Sequence, residues 1–172
     1  MNIKKTLLDG VFEIKNKKFS DLRGSFVKTY HETIFAENGL ETEFKESFYS
    51  VSQKNVLRGM HFQLPPHDHA KLVYVCNGEI IDVAVDIRKY SSTFGKYYKT
   101  ILSSENSKSL YIGKGFAHGF LVVSDIATVI YQTTSVHSPE HDSGIHWKSF
   151  GYDWEGIEKP TTSDRDESFW GL

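Results

Sequence analysis

The sequence predicts an all-β chain, folded as a sandwich or barrel with a ligand in its mouth. Three observations carry that prediction. The segment Ile81-Asp-Val-Ala-Val-Asp-Ile87 alternates strictly, with Ile81, Val83, Val85 and Ile87 on one face and Asp82, Ala84 and Asp86 on the other. Short apolar runs recur between glycine and Ser-Asp turn signals along most of the chain. Helical signals, by contrast, are sparse.

In chain order, His31 to Asn38 has the length of a short helix, stopped by Gly39. Asn55-Val-Leu-Arg-Gly-Met-His61-Phe-Gln63 is strand-like, and its alternation sends His61 to the face opposite Met60 and Phe62. The run from Lys71 to Cys76 precedes Asn77-Gly78, a strong hairpin signal expected to join it to the Ile81–Ile87 strand. Ser109 to Ile112, Phe120 to Val123 and Thr128 to Thr134 are further short strands. Gly113, Gly115 and Gly119 punctuate them, and Ser124-Asp125 marks a turn. After Gly144, Trp147, Trp154 and Trp170 stand among polar residues, a tail expected to pack over the barrel as loops and a short helix. No repeat, low-complexity tract or shift in composition divides residues 1–172, so one domain is expected.

Composition narrows the function classes. A chain of 172 residues is long enough for a real core, and its 12 Phe and 9 Tyr suit an aromatic interior or ligand site. A net charge of -2 gives no basic field, so nucleic acid is not an expected partner. The single Cys76 excludes an internal disulfide and is expected to be a small buried filler in a reducing cytoplasm. Thr6-Leu-Leu8 is cut short by Asp9-Gly10, below signal-peptide length, and no stretch is long enough to span a bilayer. The expected setting is soluble and cytoplasmic.

Chemistry concentrates in three motifs. His61 lies three residues after Arg58, Lys71-Leu-Val follows ten residues later, and Gly115-Phe-Ala-His118-Gly-Phe adds a second imidazole. One base among fixed cations suits removal of a proton from carbon and stabilisation of the resulting enolate. A lone histidine between apolar neighbours is more often structural, but two cations beside it favour a neutral ring able to act as base. Its carboxylate partner is not chosen by the residues themselves. Tyr131, in Val129-Ile-Tyr131-Gln, is by residue type an ordinary strand residue.

These motifs, framed by Asp21-Leu-Arg23-Gly24 and Ser163-Asp-Arg-Asp166, resemble in order those of the dTDP-4-dehydrorhamnose 3,5-epimerase family of cupin-type enzymes. The resemblance covers nearly the whole chain. It implies a jelly-roll cupin barrel with short peripheral helices, no cofactor, no metal, and a nucleotide-diphosphate 4-keto-6-deoxy sugar as substrate, inverted at C3 alone or at C3 and C5. It also implies roles. His61 matches the base, Asp166 its dyad partner, Tyr131 the acid on the opposite face, and Lys71 the cation at the enolate oxygen. Arg58 and Arg23 match diphosphate ligands, a use suited to bidentate guanidinium. Arg23 belongs to an N-terminal segment that in the family is exchanged between the chains of a homodimer. His118 matches a substrate-site residue. Two bland readings compete: Asp166 as part of a solvated acidic tail, and His118 as the cap of a tight glycine turn.

The chain departs from the family together at one set of positions. Lys28 replaces the usual Glu, Glu46-Ser47-Phe48 replaces Gln-x-Asn, and His137 replaces a tyrosine. In the family these positions surround the base, so the expectation is a different one, with a guanosine-linked hexose or heptose as candidate. Drift at a loosely contacted rim is the competing explanation. Rival functions are a cupin ketoisomerase, a non-catalytic sugar-nucleotide binding cupin, and a metal cupin. The last would use His67, His69 and His118, but Lys71 and Tyr74 occupy the stretch where the motif places a glutamate.

Overall fold

The computed structural model describes residues 1–172. The first part of the chain forms β1 (Asn2–Lys5), β2 (Val11–Lys15), β3 (Lys17–Asp21), β4 (Gly24–Lys28) and helix α1 (Glu32–Glu37). Then come β5 (Glu46–Gln53), β6 (Leu57–Gln63), β7 (Lys71–Asn77), β8 (Glu79–Asp86) and β9 (Tyr97–Ser103). The last strands are β10 (Lys108–Ile112), β11 (Phe116–Val122), β12 (Ile126–Thr133) and β13 (Asp142–Gly144). A 3-10 turn (Trp154–Gly156) and the one-turn helix α2 (Asp164–Glu167) close the chain. No helix is long and apolar enough to cross a membrane.

One sheet has the order β1-β2-β10-β7-β12-β5 and the other β13-β6-β11-β8-β9, while β3 and β4 form a separate hairpin. The two large sheets face each other as a jelly-roll barrel. Val73, Leu110 and Val129 of the first meet Ile80, Phe120 and Val122 of the second in the interior. Each such side chain contributes about 1.5–3 kcal/mol by leaving water. Outside the second sheet, Trp147, Phe150, Tyr152 and Trp154 of the tail cover Met60, Val83, Val85 and Leu121. Outside the first, Phe35 of α1 and Leu40 cover Ile14, Leu72 and Tyr111.

Four expectations change in detail. Asn77-Gly78 is not a hairpin: β7 and β8 lie in different sheets, and the chain crosses the barrel there. Gly78 has φ +80°, and a Cβ on it would lie 2.1 Å from the Ile126 carbonyl oxygen, so the crossing requires glycine. Cys76 is exposed because alternation puts it on the outer face of β7, opposite the interior Val73 and Val75. His118 lies inside β11 and not in a loop. Trp170 is 88% exposed, so of the three tail tryptophans only Trp147 and Trp154 pack on the sheet.

The alternation in β8 holds, but its polar face is dry. Ile81, Val83 and Val85 point outward under the tail, while Asp82 and Asp86 are buried with no exposure. The helix starts and stops as expected, Gly39 continuing the chain at φ +72°.

Candidate active site

Register lays out one wall of the barrel mouth. Across β5, β12 and β7 the pairs Glu46↔Thr133↔Lys71 and Phe48↔Tyr131↔Val73 align. Residues two apart on a strand share a face, so Glu46, Phe48, Tyr131, Thr133 and Lys71 look the same way. The opposite wall is set by β6 and β11, where His61 pairs with His118 and Arg58 with Phe120. A register shift between these pairs places Arg58 and His61, three residues apart, on the same side. Gly59 sits in that shift at φ +130°, where a Cβ would come within 2.6 Å of the Gly119 Cα. The cavity between the walls holds about 450 Å³.

His61 is oriented from behind. Asp166 Oδ1 lies 2.7 Å from His61 Nε2, and Asp166 Oδ2 accepts from the Gly59 N–H at 3.0 Å. In the neutral ring the proton on Nε2 is donated to Asp166, which leaves Nδ1 as the basic nitrogen. Ser163 caps α2 by accepting from the Asp166 N–H at 3.1 Å, so the one-turn helix fixes the carboxylate. Burial opposes the charge on Asp166, but the hydrogen bonds from His61 and Gly59 outweigh it and hold its pKa below the ordinary value. The solvated-tail reading of Asp166 is therefore wrong: it is 4% exposed.

Lys71 enters from the facing wall, its Nζ donating to the His61 carbonyl oxygen at 3.2 Å. Burial lowers its pKa to about 8, against the pull of Asp142 and Asp82. Tyr131 Oη lies 3.1 Å from Ser50 Oγ, and its ring stacks on Phe48 at 4.7 Å and 14°. Burial raises the Tyr131 pKa above the ordinary phenol value, so the hydroxyl keeps its proton. Base and phenol thus stand on facing sheets, with a cation between them. Such a site can take a proton from one face of a carbon acid and return one to the other.

At the mouth, Arg58 is held by Ser52 through Nε at 2.9 Å, and Arg165 pairs with Asp142 at 2.7 Å. Both line the cavity and suit an anionic ligand. Glu46, Phe48 and His137 form a rim in which Glu46 Oε2 accepts from the His137 N–H at 2.6 Å.

A family model described as dTDP-4-dehydrorhamnose 3,5-epimerase matches residues 5–172. The chain belongs to this family. The dTDP-4-dehydrorhamnose 3,5-epimerase of Methanothermobacter thermautotrophicus is 45% identical over 96% of this chain and 91% of its own length. That of Shigella flexneri is 44% identical, over 96% and 93%. The solved Legionella pneumophila epimerase, in complex with dTDP-4-keto-L-rhamnose, superposes with a TM-score of 0.94 at 39% identity. It covers 99% of this chain and 92% of that one.

Set beside this epimerase family, the cavity unites His61, Lys71, Tyr131, Arg58, His118, Glu46, Phe48 and His137. Asp166 stands directly behind it. Arg23 and Lys28 are elsewhere. Arg23 lies at the tip of the β3–β4 hairpin, 90% exposed and paired with Asp21, and Lys28 ends β4 opposite Lys17. The three metal-cupin candidates do not converge. His67 lies against His141 at 4.4 Å, His69 bonds Gln63 and Ser135, and His118 bonds Asp82 at 2.7 Å. His118 is held, then, by a buried carboxylate and not by a glycine turn.

Asp82 is the residue that sequence reasoning missed. Its signal was an acid repeated on one face of an otherwise apolar strand, which marks a polar barrel interior. Arg165 lay unremarked inside the Ser163–Asp166 motif, and Ser50 carried no signal, because a serine is common in a strand.

Proposed function

We propose that this protein is a nucleotide-sugar epimerase that inverts C3 and C5 of a nucleotide-diphosphate-linked 4-keto-6-deoxy sugar. The supporting observation is the His61–Asp166 dyad facing Tyr131 across one cavity, with Lys71 reaching from the Tyr131 wall to the His61 carbonyl oxygen. His61 Nδ1 takes the proton next to the ketone, and Asp166 stabilises the imidazolium that forms. The Lys71 ammonium meets the negative charge that develops on the ketone oxygen. Tyr131 then delivers a proton from the opposite face, which inverts the centre. Arg58 and Arg165 hold the diphosphate.

Incubation with a 4-keto sugar nucleotide in heavy water, followed by NMR, tests this reading. Deuterium at C3 and C5 of an inverted sugar is the expected outcome. Deuterium with a migrated carbonyl would make the protein a ketoisomerase, and no exchange on any such substrate would leave a binding cupin.

Lys71 adds a pH dependence with a definite sign. With its pKa lowered to about 8, the ammonium is complete below that pH and lost above it. The exchange rate should therefore fall as pH rises through about 8, and Lys71→Arg should move that limb upward while lowering the rate. An alkaline limb unmoved by Lys71→Arg would assign it to another group.

For the nucleotide, the names of the relatives favour thymidine, and dTDP-linked 4-keto-6-deoxyglucose is the first substrate to test. The rim carries a second reading. Glu46 has one carboxylate oxygen engaged by His137, and its other oxygen can accept one of the N–H donors of guanine. Phe48 is 46% exposed, with its outer ring face open to a purine, a contact worth about 1 kcal/mol beyond burial. If guanosine is the base, GDP competes better than dTDP and Glu46→Gln narrows the gap. Tighter dTDP binding with a neutral Glu46→Gln sinks that reading.

The same reading takes a homodimer as the working unit, with the β3–β4 hairpin carrying Arg23 and Lys28 into the partner's cavity. Phe19, Leu22 and Phe26 on the hairpin and Tyr49 and Val51 on the edge strand β5 are exposed apolar surface that such an exchange would cover. Co-expressing an Arg23→Ala chain with a His61→Ala chain should restore activity to mixed dimers. If mixing restores nothing, the exchange is refuted.

A further inference from the structure

The tail brings more than Asp166 to the base. Three residues after that carboxylate, the half-buried Phe169 lays its ring against His61, with centroids 5.9 Å apart and planes at 75°. Its backbone is fixed on both sides. Before it, α2 closes with the Ser168 N–H donating to the carbonyl oxygens of Asp164 and Arg165, each at 3.1 Å. After it, the Trp170 carbonyl oxygen accepts from the His146 N–H at 2.8 Å. The Trp170 side chain faces solvent, so the inward turn of Phe169 is not a general collapse of the apolar tail. Room for the ring comes from β13, where Gly144 pairs with His61. A Cβ on Gly144 would come within 2.3 Å of the Phe169 ring and 2.6 Å of the Met60 carbonyl oxygen. The Arg165 guanidinium lies over the phenyl ring, 5.1 Å from its centroid, and keeps Asp142 as its ion-pair partner.

A hydrogen bond to one atom holds the plane of a ring only loosely, because its strength falls steeply only below about 120°. Asp166 therefore anchors Nε2 of His61, while the tilt of the imidazole about its Cβ–Cγ bond is set by what packs against it. The basic Nδ1 follows that tilt. A misplacement of about 1 Å can cost on the order of a hundredfold in rate. We propose that Phe169 is a positioning residue that sets the plane of the His61 ring, so that Nδ1 is aimed into the cavity. One tail segment then supplies both constraints on the base, the bond to Nε2 and the wall against the ring. The catalytic consequence rests on the epimerase reading of the cavity; the restraint on the ring does not.

The test compares Phe169→Ala, which removes the wall, with Phe169→Leu, which keeps apolar bulk there. In Phe169→Ala, kcat for deuterium incorporation from solvent should fall about ten- to hundredfold, and Phe169→Leu should recover most of the loss. KM and the affinity for the nucleoside diphosphate should stay unchanged, because Arg58 keeps Ser52 and Arg165 keeps Asp142. An unchanged kcat would overturn the proposal. So would a parallel loss of kcat and nucleoside-diphosphate affinity, which would make Phe169 a structural brace, or a Phe169→Leu variant no better than Phe169→Ala. A second measurement needs no catalysis. In the wild-type protein, ¹³C relaxation at the His61 ring should report a single orientation. Exchange broadening should appear in both variants, more in Phe169→Ala, while the bond from Nε2 to Asp166 persists. If Phe169→Ala fails to fold, Phe169→Leu against wild type carries the comparison. Identical His61 relaxation with and without the phenyl ring refutes the assignment. A wild-type protein that exchanges deuterium with no 4-keto sugar nucleotide would fail the epimerase reading alone, and the ring relaxation would still decide the role of Phe169.

Discussion

His61→Asn should abolish solvent deuterium incorporation beside the ketone, with a fall of at least about a thousandfold, in the upper range for loss of a general base. Asparagine is the informative substitution because its amide can still donate to Asp166, whose carboxylate would otherwise be buried without its main partner. His61→Ala removes that donor and should cost about 1–3 kcal/mol of stability as well. Measuring exchange by NMR and folding by thermal melting separates the two effects. A folded His61→Asn protein that exchanges at the wild-type rate would remove His61 from the mechanism, and with it the purpose of the dyad.

Tyr131→Phe should leave proton abstraction in place and lower the yield of inverted sugar by about a hundredfold or more. The substitution deletes the hydroxyl that faces Ser50 but keeps the ring stacked on Phe48, so the wall of the cavity survives. Deuterium would then enter and leave from the His61 face without net inversion. Product inverted at fewer centres is the weaker form of the same result, since a second donor can serve one position better than the other. An unchanged yield of the doubly inverted sugar would reduce Tyr131 to packing, the role its strand position alone suggests.

What the sequence by itself determined was local and periodic. The alternation of Ile81 to Ile87, the glycine-punctuated runs and the helix stop at Gly39 depend on neighbours a few residues away, and each appears in the fold. His61 was legible because its strand alternation already turned it away from Met60 and Phe62, and the same reasoning holds in β6. The motifs shared with the epimerase family carried His61, Lys71, Tyr131 and Asp166 into one site before any geometry was known.

The tertiary structure decided whatever depends on which sheet a strand joins. Asn77-Gly78 has the composition of a hairpin turn, yet the strands on either side gain more by facing each other across the core than by pairing, and the chain crosses over. That crossing turns Asp82 into the barrel beneath His118, while Cys76 stands exposed on the outer face of β7. Arg58 and His61 would face opposite ways in a regular strand, and the shift at Gly59 turns both inward. His69 shows the same limit most sharply. Its neighbours in sequence say nothing of the Gln63 and Ser135 contacts at its Nδ1, because those partners come from the end of β6 and the segment after β12. Hydrogen-bond donors and acceptors are matched in space, and only the folded chain brings them within reach.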